Sequence, residues 1–83
     1  MVQVYKYPNL AERDKDTKSN GTYLGTANDP HELVRVLNIE RSKQPVNYFD
    51  GDKALNMDEA LELLGAYWDE LDGFWYYRGS IVC

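Results

Sequence analysis

The chain has 83 residues, 43% of them apolar and 28% charged, with a net charge of −5. That is one small domain, of ordinary globular rather than disordered composition. The charge is lopsided: from Asp50 to Cys83 eight carboxylates face two cations, whereas residues 1–49 carry six acids and seven bases. A one-sign field of this kind attracts cationic partners and repels nucleic acid.

Val2 to Tyr7 reads as a strand ended by Pro8, with Val2 and Val4 on one side and Tyr5 and Tyr7 on the other. Residues 8–21 are polar and charge-alternating, which reads as a long solvated connection. Thr22 to Thr26 is a second strand interrupted by Gly25, and an antiparallel hairpin with the first is expected. Asp29, Pro30 and Glu32 have the spacing of N-cap, first helical position and capping-box partner. The helix they start is expected to run to about Arg41, with Leu33, Val36, Leu37 and Glu40 on one stripe and Val34 at its edge.

Pro45 limits Val46–Phe49 to an edge strand at best, and Asp50-Gly51-Asp52 reads as a turn. Asn56 and Glu59 form a second capping-box pair. Met57, Leu61, Leu64, Trp68 and Leu71 then recur at steps of four, three, four and three, widened by Ala60 and Tyr67, which predicts a helix over 57–71. Asp72-Gly73 stops it. Phe74 to Val82 is the strongest strand signal, bent or folded into a hairpin at Arg78-Gly79. The expected fold class is α+β: a small, mainly antiparallel sheet with both helices packed on one face.

The chain offers little chemistry of its own. One histidine, His31, and one cysteine, the terminal Cys83, supply neither a zinc cluster nor a nucleophile with a base. A lone cysteine excludes an internal disulfide and fits a reducing, cytoplasmic setting. No apolar run is long enough for a membrane span or a secretory leader. Counted as calcium loops from Asp14 or Asp50, the positions where ligands and glycine are needed hold Lys18 and Ser19, or Ala54 and Leu55. Glu59 and Glu62, the nearest approach to a paired-carboxylate site, fall on the exposed side of their helix. No catalytic residue, metal or cofactor is expected.

Two features point to binding instead. Asp58, Glu59, Glu62, Asp69 and Glu70 lie off the apolar stripe and, extended by the loop acid Asp72, give an acidic surface. Tyr5, Tyr7, Trp75 and Tyr77 are expected to give an outward aromatic one, because two helices cover one sheet face only. Rings without surrounding bases suit a protein interface, so the expected function is a non-catalytic interaction protein that binds a basic protein partner. Its sharper form is an inhibitor of a nucleic-acid enzyme, of the kind mobile elements carry, with carboxylates imitating phosphates. The alternatives are a homodimeric structural module and a single-stranded RNA-stacking module.

Overall fold

A computed structural model describes residues 1–40 and 44–83, without the side chains of 37–40. Its elements in chain order are β1 (Val2–Lys6), α1 (Leu10–Arg13), β2 (Thr22–Ala27), α2 (Pro30–Glu40), β3 (Val46–Asp50), β4 (Lys53–Leu55), α3 (Met57–Leu63), β5 (Tyr67–Asp69), β6 (Phe74–Tyr77) and β7 (Ser80–Ile81). The α+β class is as expected. The predicted helical positions of Leu37 and Glu40, as side chains, and of Arg41 lie outside the described residues.

The strands form two antiparallel sheets, ordered β2-β1-β3-β4 and β5-β6-β7. In the first, Val2 pairs with Ala27, Val4 with Tyr48, and Tyr48 with Leu55. Directly opposed residues share a face, so these five make one apolar surface. α2 covers it at β2 through Leu33 and Val36, and α3 covers it at β3 and β4 through Ala60, Leu61 and Leu64. The two helices thus sit on one face, as predicted. β3 is an interior strand rather than an edge, because Pro45 stands just before it and contributes only its carbonyl, which accepts from the Tyr7 amide at 2.8 Å.

The opposite face is covered by the connection between β1 and β2, which is structured. Asn9 caps α1 by accepting from the Glu12 amide at 2.9 Å, and Asn20 Nδ2 donates to the Glu12 carbonyl at 2.7 Å. From this folded strap Lys18 reaches Gln3 and lies 5.5 Å from the Phe49 ring centroid, while Asp16 accepts from buried Asn47 at 3.0 Å. Tyr7 donates to the Thr17 carbonyl at 2.8 Å. Phe49 and Tyr7 are each 1% exposed, so the strap buries the middle of this face, while Tyr23 at its β2 side remains half exposed.

The predicted helix over 57–71 ends at Leu63. Gly65 adopts φ 98°, its amide donates to the Glu62 carbonyl, and the Ala66 amide donates to the Leu61 carbonyl, each at 3.0 Å. This pair of bonds is a Schellman cap, which turns the chain out of the helix. Tyr67–Asp69 then pairs with Phe74–Tyr77. Arg78 and Gly79, at φ 51° and 81°, make a two-residue reverse turn, so 74–82 is a hairpin and not one strand.

Candidate interaction surface

The helix end redistributes the acidic residues. Asp58, Glu59 and Glu62 remain on α3, and all three are exposed. Asp69 closes β5, and Glu70 and Asp72 belong to the turn that follows. The continuous acidic helix face expected from the spacing is therefore two separate groups. Some of these carboxylates also hold local structure. Glu59 accepts from the Asn56 amide at 3.1 Å in a complete capping box. Asp69 accepts from the Leu71 amide at 2.9 Å and closes the turn, and Asp72 accepts from the Tyr76 hydroxyl. That bond, more than burial, pushes the Tyr76 phenol up to about 12. Among the described residues no ion pair involves Asp58, Glu59, Glu62, Asp69, Glu70 or Asp72.

The aromatic residues named from the sequence are placed differently from expectation. Tyr7 is sealed under the strap, and Trp75 is 8% exposed in the core beside Leu61, Leu64 and Ala66. This corrects the outward placement expected for both: the strap, absent from any helix-only count of covering elements, takes one face, and the short second sheet turns its Trp75 side inward. Tyr5 is half-buried, edge-on to Tyr23 and Phe49 at 5.5 Å. Tyr77 is half-buried against His31 at 5.9 Å, with the Arg78 guanidinium 5.3 Å from its ring centroid. The four do not come together on one surface.

A different set does. In the β5-β6-β7 sheet Tyr67 pairs with Tyr76, Tyr76 with Ile81, and Asp69 with Phe74. Alternation puts Tyr67, Phe74, Tyr76 and Ile81 on the side opposite Trp75. Tyr67, Phe74 and Ile81 are about half exposed, and the Tyr67 and Tyr76 rings stack at 5.9 Å with an interplanar angle of 19°. Leu71, at the tip of the same hairpin, is 97% exposed. Asp69, Glu70 and Asp72 border this face. The residues were legible in the sequence as aromatics, but choosing among them required knowing that 67–69 is a strand.

A concavity of about 550 Å³ lies between the strap and the β3–β4 hairpin, with Arg13, Asp14, Asp16, Asn47 and Glu59 on its walls. Asp16 is engaged by Asn47, and Arg13 pairs with Asp14 at 3.3 Å. Among the described residues no three His, Cys, Asp or Glu side chains are grouped to hold a metal ion, and no helix is long and apolar enough to cross a membrane. No protein-family model matches the chain, and no significant match is found among curated proteins or solved structures.

Proposed function

We propose that this chain is a non-catalytic interaction protein that binds a basic protein partner through the outer face of its β5-β6-β7 sheet. The observation that carries the reading is the exposure of Tyr67, Phe74, Ile81 and Leu71 on one small sheet and its connecting turn, bordered by carboxylates with no ion-pair partner among the described residues. Small monomers seldom leave apolar side chains grouped in this way unless something covers them. Aromatic residues dominate contact energetics, while surrounding charge sets partner sign and association rate.

A second copy of the chain is a poorer cover. A two-fold contact would bring Asp69, Glu70 and Asp72 of one copy against the same patch on the other, and each copy carries −5 overall. Single-stranded RNA suits the rings but meets the same carboxylates, where phosphate needs cations. The inhibitor reading now draws on fewer helical carboxylates, Asp58, Glu59 and Glu62, and stands as a special case in which the basic partner is a nucleic-acid enzyme.

The test is affinity capture from the native host by the intact chain and by a Tyr67→Ser/Phe74→Ser variant, each at low and high salt, with sedimentation of the free protein. A partner retained by the parent chain, lost by the variant and weakened by salt is the expected result. Retention by the variant removes the hairpin face from the interface, and a sedimenting dimer that the variant dissociates replaces the heterologous partner with a second copy.

A further inference from the structure

Between α3 and the second sheet lies a cleft of about 330 Å³ lined by Asp58, Glu62, Trp68 and Trp75. We infer that this cleft receives an arginine side chain of the protein partner, its guanidinium between the two carboxylates and the two indoles. The inference rests on the reading above that the partner is a basic protein.

Four observations converge here. Asp58 and Glu62 are one helical turn apart, so their side chains leave α3 on the same side, with Cβ atoms about 5–6 Å apart. Neither makes an ion pair or a side-chain hydrogen bond among the described residues, and like charges at this spacing are mildly repulsive until a cation sits between them. Trp68 and Trp75 form the opposing wall as a cross-strand pair, with ring centroids 5.8 Å apart and planes inclined by 60°. Trp75 is anchored in the core whereas Trp68 is about half exposed, so one indole is a fixed floor and the other an accessible flank.

Indole faces attract cations more strongly than other aromatic rings. A planar guanidinium stacks on such a face and still points several N–H donors outward, enough to reach both carboxylates at once. A lysine ammonium is a compact, strongly hydrated charge that cannot stack in this way. The volume exceeds what one side chain needs, which leaves room for the flanking backbone of a peptide. The cleft and the outer sheet face are on opposite sides of β5 and β6, so they test separately.

Trp68 and Trp75 are the two tryptophans of the chain, so emission excited beyond the tyrosine absorption band comes from the indoles of the cleft. The experiment titrates the intact protein with end-blocked tetra-arginine and tetra-lysine peptides at low salt. The expected result is a saturable change in tryptophan emission with tetra-arginine, with tetra-lysine about tenfold weaker. Asp58→Asn/Glu62→Gln is expected to weaken tetra-arginine binding by about tenfold or more. Asp50→Asn/Asp52→Asn, which removes the same charge from the β3–β4 turn, outside the cleft lining, is expected to change it by less than about twofold. Circular dichroism verifies that both variants are folded.

An unchanged emission, equal affinity for the two peptides, or equal weakening by the two double variants would overturn the assignment. Such a failure leaves the outer-face reading standing if Tyr67→Ser/Phe74→Ser still abolishes capture. Loss of capture specificity with intact tetra-arginine binding does the reverse.

Discussion

Gly21 and Tyr7 show how closely the strap is fitted to the sheet. A Cβ on Gly21 would stand 2.6 and 2.8 Å from two carbons of the Tyr7 ring. The ring cannot swing aside freely, because it is buried and its hydroxyl is bonded to Thr17. Gly21→Ala is therefore expected to cost about 1–3 kcal/mol, as overpacking does. A urea midpoint equal to the parent's would show that the strap yields. The tyrosines also carry a pH prediction. Burial first, and then the charge of Cys83, pushes the Tyr48 phenol up to about 12, and the bond to Asp72 does the same for Tyr76. A folded-state pKa raised above the unfolded value of about 10 gives stability that is complete below pH 10. That contribution is lost as pH rises toward 12. In a tyrosinate absorbance titration Tyr48 and Tyr76 should titrate late, as should Tyr7, whose phenol burial also raises, and Tyr48→Phe and Tyr76→Phe should each remove one late step.

α3 is an element whose beginning was written in the sequence and whose end was not. Asn56 and Glu59 announced a capping box, and both of its bonds are present, at 2.8 and 3.1 Å. Asn56→Ala should destabilise the protein by about 1 kcal/mol, read from the thermal midpoint, since it leaves a first-turn amide without its acceptor. At α2 the signal was almost as good. Asp29 accepts from the Glu32 amide at 2.9 Å, but Glu32 returns its bond to Asn28, one residue before the expected amide. The far end of α3 misled because Trp68 and Leu71 continue the three-and-four spacing of Leu61 and Leu64 by coincidence. Trp68 instead pairs across a sheet with Trp75, and Leu71 is almost wholly in solvent. The competing signal was Gly65, placed where a helix C-cap wants a residue of positive φ. It stood next to Tyr67 and Trp68, whose aromatic rings favour strands.

At the scale of the whole molecule, what sequence periodicity could not convey was which surfaces cover which. The strap contacts that bury the middle of the second face of the large sheet join residues 15 and 31 positions apart, Lys18 with Gln3 and Asn47 with Asp16. Neither contact has a local signature. The small sheet likewise depends on a distant anchor. Its β6 strand sends Trp75 into the core formed by Val2, Val4, Leu33 and Leu61, and β7 continues past Ile81 through the Val82 amide bonded to the Trp75 carbonyl at 2.8 Å. This makes Trp75 the joint between the hairpin that displays the rings and the body that holds it. Trp75→Ala would empty a large buried volume, at a cost of about 3–5 kcal/mol. For so short a chain, whose whole stability lies near the lower part of about 5–15 kcal/mol, that is enough to populate the unfolded state at ambient temperature. Trp68→Ala, next to it but about half exposed, removes far less buried surface and should cost about 1 kcal/mol. Urea unfolding followed by far-ultraviolet circular dichroism separates the two cases. Equal losses would mean that the hairpin is not fastened through β6, and its outer face would then lack the fixed geometry that recognition of a partner requires.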